Sequence, residues 1–192
     1  MPQRSTTTDG EPDTATQVLH RMLRDKVGPA LRAMGFSGSG SRFELRRESS
    51  HDFALLGIQA YRYNDAALAR FTLNVAFYTA EDWALARTNA SNKGLTLQVE
   101  PSPNEEHFCG WSSRVGYLYE PGHDHWWGVR SEADAESVAP DVIDVVRRHV
   151  LPQLTARLAH QDPPPEFYDS DHPDVRCQGA YCLADDVDEE DD

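Results

Sequence analysis

The chain has 192 residues, of which 39% are hydrophobic, and its formal net charge is −14. This length fits one domain with additional tails, and such a domain can bury a sizeable core. The acidic balance disfavours nucleic acid as a partner, because negative charge repels phosphate.

The acidity is concentrated at the two ends of the chain. Residues 1–13 have a net charge of −2 and residues 163–192 one of −10, whereas the long central part is nearly neutral, at −2. The C-terminal segment is also rich in proline, and a proline-rich, acidic composition disfavours a packed core. We therefore predict a disordered tail over 1–13, one domain over 14–162 and a disordered acidic tail over 163–192.

The sequence shows no targeting or membrane-spanning pattern. Residues 1–13 are polar, and no apolar run reaches the roughly eighteen residues that a spanning helix needs. The three cysteines form an odd set that does not suit a disulfide framework. We expect a cytoplasmic chain without a membrane partner.

A helical period opens the predicted domain. Over residues 19–34 apolar side chains recur three and four positions apart, which predicts one buried helix face. Thr14 and Gln17 match a capping box, and Gly35 suits a C-cap. Because proline lacks the N–H that a helix interior needs, Pro29 predicts a kink.

An alternating pattern follows the first helix. Segments 42–48, 53–63 and 70–79 place apolar residues at every second position, which predicts three strands. The short link between the second and third strands favours an antiparallel pair. Residues 37–41, "SGSGS", are interpreted as a flexible connector, and residues 81–90 as a short helix.

The last part of the domain completes the predicted sheet. Residues 91–106 are interpreted as a loop, segments 109–120 and 124–130 as strands four and five, which pair with each other, and residues 137–160 as a helix. Pro140 fits its first turn and Pro152 should kink it. The order predicts an α+β fold, with a single antiparallel sheet of about five strands and an N-terminal and a C-terminal helix packed on one face.

A series of short motifs in chain order resembles a known family. The motifs are "MGF", "FTLNVAFY", "WSSRVGYL", "HWWGV" and "VLPQL". They are carried by Gly35, Phe36, Phe43, Asn74, Cys109, Arg114, Gly116, Leu118, Trp126, Trp127, Leu151 and Pro152. Their order is similar to that of domain of unknown function family 4304, over roughly residues 15–160. The resemblance implies a small cytosolic bacterial domain and brings no activity with it.

The stretch "EPGHDHWWGVR", residues 120–130, is the strongest candidate for a binding site. On a strand Trp126 and Trp127 point to opposite faces, so one should enter the core and the other should lie on the open face. Tryptophan, tyrosine and arginine anchor interfaces and line ligand grooves. The candidate binding residues are Arg114, Tyr117, His125, Trp126 and Trp127. The alternative is that both tryptophans cap the core and Arg114 stacks on one of them.

Metal and nucleophilic chemistry have little support in the sequence. Pairing of strands four and five would bring His107, Cys109, His123 and His125 together, a donor set that zinc accepts. The usual paired Cys and His spacings are absent, however, as are a nucleophile elbow, a phosphate loop and a fixed pair of carboxylates. We therefore assign no metal, no cofactor and no catalytic residue.

Two functional hypotheses remain. The first is a non-catalytic protein-interaction module, of an accessory or immunity type, that binds a protein partner on the open sheet face. Its contact residues would come from Tyr61, Tyr78, Trp111, Tyr117 and one of the two tryptophans. The second is a small-ligand or enzymatic site between the sheet and loop 91–108, in which Arg114 holds an anion and His123 or His125 titrates near neutrality. Because no catalytic set is present in the sequence, the first hypothesis is favoured.

Overall fold

A computed structural model describes residues 13–48, 50–104, 110–120 and 123–164. The predicted tails 1–13 and 163–192 fall outside these residues, apart from Asp13 and residues 163–164 at their inner ends. Within the described ranges no helix is both long and apolar enough to cross a membrane.

The N-terminal helical region has three parts. α1 (Ala15–Met22) is followed by a π-helical turn at Leu23–Val27 and by α2 (Gly28–Ala33). The predicted capping box is confirmed, since the Thr14 side chain accepts a hydrogen bond from the amide of Gln17, whose own side chain caps Thr14. Gly35 has a φ of 98° and ends the helix as predicted.

The C-terminal helical region repeats this arrangement. α4 (Glu132–Val145) leads into a π-helical turn at Val146–Val150 and then into α5 (Leu151–Leu158). The predicted start at residue 137 is wrong, because Ser131 caps the helix and accepts from the amide of Asp134. Pro140 consequently lies inside α4 rather than in its first turn.

Six strands form one antiparallel sheet, which confirms the predicted fold class. The strands are β1 (Phe36–Ser39), β2 (Arg42–Leu45), β3 (Phe53–Ala60), β4 (Ala69–Tyr78), β5 (Trp111–Arg114) and β6 (Trp127–Val129). They are ordered β1-β2-β3-β4-β5, and β6 also pairs with β4. The segment interpreted as a connector, 37–41, therefore contains residues 37–39 of the edge strand β1.

The predicted pairing of strands four and five is wrong. β5 pairs with β4 at residues 74–77, and β6 pairs with the same strand at residues 69–71. The two short strands thus lie one after the other along a single edge of β4, which we call the split edge. A 3₁₀ turn at Val115–Leu118 ends β5 after four residues, so the predicted strand over 109–120 is too long.

The core lies between the sheet and the two helical regions. On this helix side, alternate residues of β4 such as Phe71 and Val75 pack with Leu19, Val142 and Leu154 of the helices. The opposite side is partly covered by α3 (Ala80–Asn92), which extends the predicted short helix. α3 buries Trp83 against Leu55, Ala76 and Tyr78. The part of this opposite side next to the split edge carries the candidate site.

Candidate functional site

Arg114, Asp124 and Trp126 form a linked group at the split edge. Arg114 ends β5 and lies directly across from Asn74 of β4, so both side chains leave the sheet on the side opposite the long helices. The Asp124 Oδ2 atom accepts hydrogen bonds from the Arg114 guanidinium and, over 2.9 Å, from the Trp126 indole N–H. The guanidinium carbon also lies 5.5 Å from the centroid of the Trp126 ring.

Two tyrosines extend this group into an exposed surface. Tyr61 meets Trp126 edge to face at a centroid distance of 5.5 Å and meets Tyr63 in the same way. Tyr63 is 64% exposed and Tyr61 37%. Two further arginines lie over these rings, Arg62 over Tyr63 at 4.5 Å and Arg70 over Tyr61 at 5.9 Å. We call this surface the aromatic–arginine patch, and it consists of Tyr61, Arg62, Tyr63, Arg70, Arg114 and Trp126.

The patch is locally cationic although the chain is acidic. Within the described residues, Arg114 is the one patch arginine that forms an ion pair with a carboxylate. Arg62 and Arg70 contact aromatic rings and are exposed. The positive charge of these two arginines is therefore presented to solvent beside the tyrosines.

A row of side-chain amides, centred on the buried Asn74, lies next to the patch. Asn74 is 9% exposed, and its amide nitrogen donates to Gln59 Oε1 over 2.8 Å and to Asn104 Oδ1 over 3.0 Å. The row continues to Gly57, which faces Asn74 across the strands, and a side chain there would overlap Asn104. These contacts hold Asn104 on the sheet, beside the area next to the split edge.

A second cluster lies on the helix side of the same edge. The His125 ring is 4.5 Å from that of Trp127, 5.5 Å from that of His123 and 6.0 Å from that of Tyr119, and Tyr119 lies 5.0 Å from His149. We call Tyr119, His123, His125 and His149 the histidine cluster. Its loop is held by Thr72, whose hydroxyl donates to the His125 carbonyl over 2.7 Å.

Burial perturbs the ionisation of this cluster. It lowers the pKa of His125, which the neighbouring His123 lowers further, and it lowers the pKa of His149 beside Arg148. Burial and the nearby Asp141 carboxylate raise the pKa of Tyr119 to about 12. The His125 Nε2 atom is buried and has no hydrogen-bond partner among the described residues. Burial thus favours the neutral forms of His125, His149 and Tyr119, which suits packing or a neutral acceptor role.

Trp127 is part of the core and does not belong to the patch. Its side chain is 4% exposed and stacks on Phe71 at 5.4 Å, and its indole N–H donates to Asp141 over 2.7 Å. The prediction that Trp126 and Trp127 point to opposite sides is confirmed. The alternative hypothesis placed both tryptophans at the core, and this is correct for Trp127. It also expected Arg114 to stack on one of them, which it does on Trp126.

A family comparison covers most of this arrangement. The model of the family described as domain of unknown function DUF4304 matches residues 27–156. The chain belongs to the DUF4304 family. The DUF4304 match contains the whole sheet, the patch and the histidine cluster, and it begins within the first π-helical turn. No curated protein and no solved structure matches the chain.

Several predicted contact residues lie elsewhere in this DUF4304 domain. Tyr117 is in the 3₁₀ turn and not on a strand, where the prediction for segment 109–120 had placed it. Trp111 packs on the helix side, where Arg157 lies 3.6 Å from its ring, and Tyr78 is fully buried under α3. Arg114 and His125 are on opposite sides of the split edge, and none of the described contacts joins them.

Sequence reasoning missed the two carboxylates, Asp124 and Asp141, that hold the side chains of the site together. Asp124 lies between the two predicted histidines and binds both Arg114 and Trp126, while Asp141 lies on a helix distant in sequence. Tyr63 was detectable as the aromatic residue at the end of the second predicted strand, 53–63. No group of three or more metal-ligating side chains occurs in the described ranges, which leave out His107 and Cys109.

Proposed function

We propose that the domain is a non-catalytic protein-interaction module of the cytoplasm whose binding surface is the aromatic–arginine patch. One observation carries the proposal: three aromatic rings in edge contact, of which Tyr61 and Tyr63 are exposed, lie together with exposed arginines beside the split edge. Tyrosine, tryptophan and arginine are the residue types that dominate interface energetics. An accessory or immunity-like role in a bacterial cell agrees with such a surface.

The charge distribution indicates the kind of partner. Arg62 and Arg70 contact aromatic rings and have no carboxylate partner among the described residues, whereas the chain as a whole carries −14. A partner surface with carboxylates around an apolar centre would pair with the arginines and cover the tyrosine rings. A second copy of this chain is disfavoured, because its net charge opposes association.

Native mass spectrometry of the protein isolated from its own cells tests the proposal. We expect the wild-type chain to retain a partner and the double variant Tyr63→Ala/Arg62→Glu to lose it. The variant changes two exposed side chains, so its melting temperature should stay within a few degrees of wild type. The matched control is Leu85→Ala/Leu95→Ala, since both leucines are exposed outside the patch.

Three outcomes would overturn the proposal. They are a bare wild-type monomer, equal retention of the partner by the patch variant, and loss of the partner from the leucine control. Once identified, the purified partner should bind the wild-type chain in a salt-dependent way, because paired arginines contribute to the contact.

A second candidate function is a small-ligand or enzymatic site that uses Arg114 with His123 or His125. The observation that favours it is the buried His125 Nε2 atom, which would accept a hydrogen bond from a ligand. A ligand that also reached Arg114 would have to displace Asp124 from the guanidinium. The same mass spectra test this candidate, because a retained small molecule would appear as a fixed mass increment that His125→Gln removes.

A further inference from the structure

A cavity of about 590 Å³ lies on the helix side of the sheet, away from the patch. Its apolar wall is formed by Leu19, Leu23, Phe43, Ile58, Ala60 and Phe71. The volume falls within the range of about 300–1,000 Å³ that small-molecule sites occupy. The first helical region forms one wall of the cavity and strands β2 to β4 form the other.

The mouth of the cavity is basic. His20, Arg24 and Arg32 line it, and all three are exposed. The Arg24 guanidinium is held by Asp25 through two hydrogen bonds of 2.7 Å. Arg32 makes one long hydrogen bond of 3.5 Å to the Gly38 carbonyl and has no carboxylate partner in the part of the chain that the structure describes. An unneutralised cation therefore lies at the entrance of an apolar space.

The π-helical turn shapes this entrance. The Gly28 amide bonds to the Leu23 carbonyl five residues back, which widens the helix beside the cavity. A Cβ atom on Gly28 would lie 3.1 Å from the Leu23 oxygen and 3.4 Å from Arg32 Nη1. The glycine thus lets the guanidinium lie close against the helix and over the opening. Single π-helical turns occur frequently at functional sites.

We propose that this cavity binds a medium-chain fatty carboxylate. The alkyl chain occupies the apolar space, and the carboxylate binds Arg32, whose planar guanidinium matches it in a bidentate manner. The hydroxyls of Ser39 and Ser41 line the same mouth and supply further donors. Since Asp25 pairs with Arg24, Arg32 is the mouth arginine without a carboxylate partner among the described residues, which suits a single anionic head.

Titration calorimetry with decanoate below its micelle concentration is the first test. We expect decanoate to bind, acetate to show no binding, and Arg32→Gln to weaken decanoate binding by about tenfold, as for the loss of one charge-assisted pair. Decanol should bind the wild-type chain and Arg32→Gln equally, which also shows that the variant is folded. The matched control is Arg87→Gln, which removes the same charge from an exposed position on α3.

The position of the ligand is tested by NMR. Nuclear Overhauser effects from the decanoate chain should reach the methyl groups of Leu19 and Ile58. Effects on Tyr61 and Tyr63 instead, equal weakening by the two arginine variants, or no binding at about 1 mM would overturn the proposal. Phosphatidylglycerol vesicles distinguish the source of the chain: binding to vesicles without binding to decanoate would contradict a site for the free acid.

Discussion

The indole N–H of Trp127 donates a hydrogen bond to the Asp141 carboxylate over 2.7 Å and so joins the last strand to the C-terminal helix. Removal of the acceptor leaves a donor in the core without its partner, which costs about 1 to 3 kcal/mol. We expect Asp141→Ala to lower the free energy of unfolding by this amount in urea denaturation. Asp141→Asn, which keeps an acceptor oxygen, should lose less.

Asp144 provides the control for this prediction. It lies one turn further along the same helical region and pairs with Arg148 at the surface. Because exposed pairs contribute about 0 to 1 kcal/mol, Asp144→Ala should have a small effect. Equal losses for the two alanine variants would show that general helix electrostatics, and not the indole contact, determine the result.

Gly116 allows the loop of the split edge to pass over the 3₁₀ turn. A Cβ atom there would overlap the His123 carbonyl oxygen and lie 2.6 Å from the His125 amide nitrogen. Both contacts are with backbone, so the loop itself must move. We expect Gly116→Ala to cost about 1 to 3 kcal/mol of stability and to disturb the NMR signals of Asp124 and Trp126.

Gly128 is the matched control for Gly116. A Cβ atom at this exposed position of β6 would meet one side-chain carbon, Leu68 Cδ1, at 3.4 Å. Gly128→Ala should therefore leave the loop signals unchanged and shift stability by no more than about 1 kcal/mol. If Gly116→Ala proved equally mild, the close approach of the loop would not restrict this position.

The histidine cluster should make the protein less stable in acid. Folding lowers the pKa of His125 from its ordinary value of 6.5, so the unfolded chain binds the proton more readily. Above the pKa that His125 has in the unfolded chain, this difference does not affect the free energy of unfolding. As the pH decreases below that pKa, the unfolded chain takes up the proton first and the free energy of unfolding falls. We expect His125→Gln to lose less free energy of unfolding than wild type between about pH 7.5 and about pH 5.5.

His149 is predicted to act in the same direction, because burial also lowers its pKa. The double variant His125→Gln/His149→Gln should therefore show the smallest pH dependence of the set. The control is His51→Gln, at an exposed position, which should follow the wild-type curve. The prediction would be wrong if the free energy of unfolding of the double variant changed with pH as much as that of the wild type.

The C-terminal end of the domain should be sensitive to where the chain is cut. Gln153 is 2% exposed, and its amide nitrogen donates to the Pro164 carbonyl over 2.8 Å. A chain that ends at residue 162 lacks this acceptor and should lose about 1 to 3 kcal/mol of stability. A chain that ends at residue 167 keeps it and should unfold like the full chain. Identical unfolding of both truncated chains would show that water replaces the lost acceptor.

The fold was predictable where one period dominates the sequence. The alternation over residues 70–79 correctly predicts β4, and the helical period correctly predicts the first buried face. The prolines also indicate where each helical region departs from α geometry. The sequence does not predict the form of this departure, which is a π-helical turn before Pro29 and before Pro152. The turn places each proline ring at the start of a new helical segment, where no backbone N–H is required.

The site was less predictable because it depends on tertiary pairing. Trp126 and Arg114 were identified from residue type, but their link through Asp124 requires that β5 and β6 share one edge of β4. Two neighbouring segments with strand propensity are as compatible with a hairpin as with two strands that share one edge of β4. The 3₁₀ turn that separates them packs at Gly116 against the loop at His123 and His125. This contact joins residues that are not adjacent in sequence, so periodicity does not reveal it.

The split edge also affects how the protein behaves at high concentration. An open strand edge offers unpaired N–H and C=O groups to other molecules and can seed fibrils. Here the outer edge consists of four residues of β5 and three of β6, with a 3₁₀ turn and a loop between them. An incoming strand finds no continuous ladder to extend. The interruption beside Trp126 therefore also protects this edge of the sheet against edge-to-edge aggregation.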